Sequence, residues 1–293
     1  MKFLNFGSLN LDMVYSVDHT VRPGETVASA KLDYFCGGKG LNQSIALARA
    51  GAKVFHAGCV GEDGKRLTDK LTENTVDVSF VHTSKLPSGH AIIQVDKNGQ
   101  NSILIFGGAN REITHEQIKN VLSDFSSGDR LFLQNEINGI ADIIDTAHEK
   151  GMEIVFNPSP FGAEIKSFPL EKVTWFVVNE TEAQELTGQS DPQKALDSFS
   201  EKFPKSNIVL TLGGDGAYCF ADGRLYHRDI FRVPVVDTTA AGDTFLGFFF
   251  ALLNDRGVED ALRYASAASA IAVSRSGASA SIPTLDEVED FLR

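Results

Sequence analysis

The chain alternates short, continuous apolar runs with segments in which apolar residues recur every three or four positions. The runs are "KFLNFG" (2–7), "KVFHAGCVG" (53–61), "RLFLQNE" (130–136), "MEIVFNPSP" (152–160), "TWFVVNE" (174–180) and "SNIVLTLGGDGAYCF" (206–220), the last broken by a glycine turn. Continuous apolar runs of this length, closed by glycine or polar residues, predict strands buried on both faces. Helical spacing recurs at 40–51, 139–151, 181–188, about 241–255, 258–274 and 284–292, with Gly51 and Gly151 as stop signals. Strand and helix alternating in this way predict an α/β fold: a doubly wound, mostly parallel sheet flanked by helices.

Two segments break the rhythm. Residues 90–106, "HAIIQVDKNGQNSILIF", read as two β-rich runs, with Asn98-Gly99 supplying positive φ for a tight hairpin. Residues 10–33 are extended in character and carry no helix signal. The two segments are expected to pair into a small β-sheet, either a lid over a site or an ordinary edge extension. The division that follows is a core of 1–9, 34–89 and 107–293, with 10–33 and 90–106 as the lid.

Composition narrows the function. The 293 residues carry a net charge of −12, which argues against a nucleic-acid partner, because phosphate-backbone binders need a basic field. Cys36, Cys59 and Cys219 are scattered, with no CxxC or Cys/His cluster, so neither a zinc site nor a disulfide framework is expected. The N-terminal residues lack the apolar core of a secretory signal, and the longest strongly apolar run, Phe245–Leu253, is about half a membrane span. A cytoplasmic protein with no membrane partner is expected.

Four stretches carry candidate chemistry. "CGGKGLNQ" (36–43) places glycines before a helix, where backbone can approach a ligand and Asn42 could bind a polyol; a plain tight turn is the alternative. "TLGGDG" (211–216) is either a hairpin turn or a backbone contact to nucleotide phosphate. In "NETE" (179–182), Asn179 and Glu182 have capping-box spacing; the functional alternative is that they organise magnesium and its waters. "DTTAAGDTF" (237–245) turns through small residues into a helix, so the N–H groups of about 240–243 would converge on one point. Asp243 beside them is either a first-turn acid or a general base.

These segments, in this order, resemble the ribokinase-like (PfkB) carbohydrate kinases over essentially the whole chain, and the ribokinase branch most. "GSLNLDM", "RPGETV", "GGKGLNQ", "GGAN", "NPSP", "NETEAQELTG", "TLGGDGAY", "DTTAAGDTF" and "AVSRSGASASIP" carry the resemblance. It implies transfer of the ATP γ-phosphoryl group to a sugar hydroxyl, with D-ribose giving ribose 5-phosphate. Deoxyribose, fructose or a nucleoside are alternative acceptors, and a non-catalytic sugar-binding regulator is a further one. Asp243 matches the family's base, and the N–H groups of Ala241, Gly242 and Asp243 match its anion hole. Asn10, Asp12, Gly38, Lys39, Asn42 and Glu136 match sugar contacts. Asn179, Glu182, Thr211, Gly213, Gly216 and Ser266 match nucleotide contacts, with Glu182 reaching Mg2+ through water. Asp237, Thr239, Ala272, Arg275, Gly277 and Ser281 match the ligands of an activating K+. The lid implies a homodimer. Phe248 stands where the family usually has a small residue, and Ser266 where many ribokinases carry Asn or His. The segment after Gly61 is short. A nicotinamide-dependent oxidoreductase is disfavoured, because GxGxxG is absent after the first strand.

Overall fold

The computed structural model describes residues 1–293, with nine strands in one sheet and four in another. Numbered in chain order, the large sheet runs β13 (Arg224–Arg228), β12 (Ala217–Ala221), β11 (Asn207–Thr211), β10 (Trp175–Asn179), β9 (Glu153–Asn157), β8 (Arg130–Gln134), β1 (Phe3–Phe6), β4 (Val54–Val60), β5 (Asp77–Thr83). From β11 to β5 every pairing is parallel; β12 and β13 add an antiparallel edge. The helices are α1 (Lys39–Arg49), α2 (Lys65–Glu73), α3 (His115–Ser123), α4 (Ile140–Glu149), α5 (Glu180–Thr187), α6 (Pro192–Lys202), α7 (Ala241–Val273) and α8 (Leu285–Leu292).

Both faces of the sheet are covered, as the continuous apolar runs require. Along β8, Phe132 joins the core built on α1 and α7, while Leu131 and Leu133 join the core on the opposite face with Ile143 and Ile144 of α4. Helix α7 breaks at Gly257 (φ 75°, ψ 173°), which separates it into the two helices expected from the sequence. Helices α2, α3 and α6 and strands β5 and β13 were not anticipated. The reason is visible in α2 and β5. Only Leu67 and Leu71 of α2 are buried, and β5 is an edge strand with no buried residue, so neither leaves a strong apolar signature.

The small sheet has the order β3 (Lys31–Gly37), β2 (Asn10–Ser16), β6 (Gly89–Val95), β7 (Asn101–Phe106). Strand β3 continues to Gly37, past the expected boundary at residue 33, and passes through Gly38 directly into α1. The hairpin between β6 and β7 also differs from expectation: Gly99 alone has positive φ (78°), not Asn98 as well. The Asp96 carboxylate accepts from the N–H groups of Asn98 and Gln100, so this is a longer turn organised by a side chain.

Candidate active site

Four successive parallel strands end on a polar residue: Gln134 on β8, Asn157 on β9, Asn179 on β10 and Thr211 on β11. The direction of chain progression reverses beside β1, with β8 on one side and β4 on the other. In open α/β sheets the crevice beyond the carboxyl ends at such a switch point is where ligands bind. The small sheet, through Gly37-Gly38, and the start of α7 both meet this crevice.

Asp243, in the first turn of α7, is linked to Asn157 at the carboxyl end of β9 through Gln43. The residue before α7, Ala240, is left-handed (φ 61°, ψ 10°), which costs roughly 1–2 kcal/mol for a residue with a side chain. The turn leads into Ala241 and Gly242, which line a cavity. Ala241 N–H donates to Thr238 O at 3.3 Å and Thr244 N–H to Ala240 O, which leaves the N–H groups of Gly242 and Asp243 without protein acceptors. The Asp243 side chain caps nothing in its own helix. It is buried, and its oxygens accept from Asn42 Nδ2 at 3.2 Å and Gln43 Nε2 at 2.9 Å, both on α1. The first-turn-acid reading therefore does not describe its contacts.

Polar residues cluster beside the small sheet. Glu136 accepts from Ser8 Oγ and from Lys39 N–H, the latter at 2.9 Å, which fixes the carboxylate against the start of α1. Asn10 Oδ1 accepts from Asn110 Nδ2 at 2.7 Å. Burial, and secondarily the charge of Glu136, push the Asp12 carboxyl up to about 7. Burial opposes the charge of Lys39, but the carboxylates of Asp243, Glu136 and Glu182 outweigh it and hold its pKa above the usual lysine value. Asn42 Oδ1 is buried with no partner in the protein. Asn10 and Glu136 share a cavity of about 350 Å³ with Ile105 and Phe106 of the small sheet.

A cavity of about 550 Å³ is lined by Thr211, Gly213, Gly216 and Ser266 together with Ala241 and Gly242. Gly214 and Gly242 also line it. Both have ordinary φ, and a Cβ added at either would meet no protein atom within 4 Å. Neither backbone conformation nor packing requires glycine there. Asn179 and Glu182 form the full capping box of α5, with Glu182 N–H to Asn179 Oδ1 at 2.9 Å and Asn179 N–H to Glu182 Oε2 at 3.1 Å. They also line a separate cavity of about 590 Å³ with Ser159, Pro160 and Lys166, so the cap leaves them facing open space.

The pfkB family of carbohydrate kinases matches this sequence over residues 2–285. A ribokinase from Haemophilus influenzae is 37% identical over 297 residues, 98% of this chain and 96% of its own length. A deoxyribokinase from Salmonella typhi is 31% identical, covering 98% and 97%. The crystal structure of a ribokinase from Cryptococcus neoformans in complex with ADP superposes with a TM-score of 0.86 at 31% identity, covering 99% of each chain. The chain belongs to the PfkB carbohydrate kinase family. It is an ATP-dependent sugar kinase.

In this kinase the loop before α7 is tied to the segment after it. Asp237 Oδ1 accepts from the N–H and hydroxyl of Thr239, and Oδ2 from Gly277 N–H at 3.0 Å. Burial alone would raise the Asp237 carboxyl, but these hydrogen bonds hold it below the usual aspartate value. Val273 O accepts from the N–H groups of Val236 and Asp237. The loop is thereby brought beside the end of α7 and the segment holding Arg275, Gly277 and Ser281. Asp237 and Thr239 supply carboxylate and hydroxyl oxygens there, the ligand type that hard cations take. Glu182, half of its carboxylate engaged in the cap, suits an outer-sphere magnesium contact.

Residues the sequence reading missed are the amides around Asp243: Asn5, Gln43, Gln134, Asn157 and, beside Asn10, Asn110. A signal was present, since β8 and β9 are apolar runs that end on Gln and Asn. Phe248 is fully buried with Phe249 and Phe250, and the tight approach of α7 to α1 is made one residue earlier: a Cβ on Gly247 would stand 2.3 Å from Ala46 Cβ. A large side chain at 248 is therefore compatible with that approach.

Proposed function

We propose that this kinase phosphorylates D-ribose to ribose 5-phosphate, with Asp243 as general base. The observation that carries the reading is the position of the Asp243 carboxylate. It accepts from Asn42, one of the proposed sugar contacts Asn10, Asp12, Gly38, Lys39, Asn42 and Glu136, and its residue directly follows Ala241 and Gly242, which line the proposed nucleotide cavity. A sugar hydroxyl beside the carboxylate loses its proton to it while attacking the γ-phosphorus. The N–H groups of Gly242 and Asp243, with the more weakly engaged N–H of Ala241, meet the charge that spreads over the transferring oxygens. Thr211, Gly213, Gly216 and Ser266 hold the nucleotide; Asn179 and Glu182 serve its phosphates. Magnesium bound with ATP would offset phosphate charge near Glu182. Potassium held by Asp237, Thr239, Ala272, Arg275, Gly277 and Ser281 would stiffen the loop that presents the anion hole.

The small sheet acts as a lid over the sugar, excluding water from the phosphoryl group. Its outer strand β7 exposes Ile103, Leu104, Ile105 and Phe106, which supports a homodimer formed through the lid. Three unpaired, buried cysteines support a cytoplasmic location. Deoxyribose is the second acceptor, favoured by the deoxyribokinase relative.

The test is ADP release with ATP, magnesium and potassium against a panel of pentoses, hexoses and nucleosides. Ribose should give the highest kcat/KM. No stimulation by any sugar sinks the kinase assignment, and a preference for deoxyribose or a hexose replaces the acceptor. Omitting potassium should lower kcat; an unchanged rate removes the monovalent site.

A further inference from the structure

Behind Asp243 runs a chain of buried amides. Asn5 Nδ2 donates to the carbonyl oxygen of Gly40 at 2.9 Å. That oxygen can only accept, so Asn5 must turn its Oδ1 toward Gln134, whose Nε2 donates to it at 3.0 Å. The same Nε2 donates to Gln43 Oε1 at 2.7 Å. With its oxygen occupied, Gln43 presents Nε2 to Asp243 Oδ1 at 2.9 Å and to Asn157 Oδ1 at 3.3 Å. Asn157 is oriented independently, because its Nδ2 donates to Val177 O at 2.9 Å and more weakly to Glu182 at 3.4 Å. Two backbone carbonyls thus set the polarity of the whole relay from opposite ends. Asn5, Gln43 and Gln134 are essentially inaccessible to solvent.

We infer that Gln43 is a positioning residue for phosphoryl transfer. Its donated hydrogen bond pins the rear oxygen of Asp243 and leaves Oδ2, on the Asn42 side, for the sugar hydroxyl. The inference rests on the reading of Asp243 as base. Gln43 acts through Asp243, because its two polar atoms are both spent within the relay. The link to Asn157 and Glu182 joins the base to the residues proposed to serve the phosphates, so the two ends of the reaction are held in one frame.

The experiment compares Gln43→Leu, Gln43→Glu and Asp243→Asn with the wild type. Steady-state rates are measured from acid to alkaline pH, with sugar Kd by calorimetry. Gln43→Leu should lower kcat by roughly 10²-fold, the scale of a misplaced catalytic group, while sugar Kd moves by less than about threefold. Gln43→Glu keeps shape and, when protonated, keeps a donor. Its kcat relative to wild type should therefore be highest at acid pH and fall as the shared proton is lost, whereas the Gln43→Leu ratio stays flat. A merely structural role predicts two flat ratios. Flat ratios for both variants, or near-normal kcat in Gln43→Leu, overturn the inference. If Gln43→Leu does not fold, the pH dependence of the Gln43→Glu ratio decides alone. Full turnover by Asp243→Asn removes the base reading and this inference with it. An inactive Asp243→Asn beside normal Gln43 variants removes this inference only.

Discussion

Asp12 is the residue whose protonation the fold alters most usefully. Its carboxyl is raised from 3.8 to about 7 by burial and then by Glu136. A raised acid contributes stability that is fully present below its unfolded pKa and is lost as pH rises through the folded value. The ligand-free protein should therefore lose thermal stability as pH rises from about 4 to about 7 and level off above that, and Asp12→Asn should flatten that slope. Sugar hydroxyls donating to Asp12 would favour its ionised form, so sugar binding should tighten over the same interval, up to tenfold per pH unit. Calorimetric Kd values across this range check it; a flat profile in the wild type contradicts it. At the same scale, Asp243→Asn keeps a side chain of the same size but removes the base, and should lower kcat by ~10²–10⁴-fold.

At the scale of elements, the proposed mechanism depends on how closely α1 and α7 approach. Asn42 and Gln43 on α1 meet Asp243 on α7 only because Gly247 lets the two helices touch near Ala46. Gly247→Ala should destabilise by about 1–3 kcal/mol, as overpacked cores do, and should lower kcat because it moves the base relative to its amide partners. Phe248→Ala should cost more, about 3–5 kcal/mol, by leaving a cavity. Denaturant melts of both variants, read beside their kcat values, test the separation. The central strands and the long helices were legible in the sequence because each is apolar through a whole run or along a regular face. The α2 helix and β5 were not, since partial burial leaves no such signature. The site was legible where the backbone itself is special, at "GGKG" and "TAAGD". It was not legible at Gln43, Gln134 and Asn157, whose roles depend on which amide faces which across five elements. The capping box at Asn179 and Glu182 shows that a structural role and a cavity-lining position coexist on the same side chains.

At the scale of the molecule, the chain combines a large sheet that presents a crevice with a small sheet that meets it through Gly37-Gly38. The outer strand β7 leaves Ile103 at 52%, Leu104 at 67% and Ile105 at 62% exposure, an apolar edge that fits the proposed dimer. Ile103→Lys with Leu104→Glu should turn a dimer into a monomer by sedimentation velocity. On the proposed lid-mediated dimer, it should also weaken sugar affinity. An unchanged sedimentation coefficient removes the lid-mediated dimer.

The most direct test of the central claim separates sugar binding from phosphoryl transfer at Asp243. Phosphorus NMR follows a mixture of ATP, magnesium and D-ribose with wild type or Asp243→Asn, and calorimetry measures ribose binding to each. The account predicts ribose 5-phosphate from the wild type and almost none from the variant, with ribose still bound by both. Product formation by Asp243→Asn at a near-normal rate would contradict it.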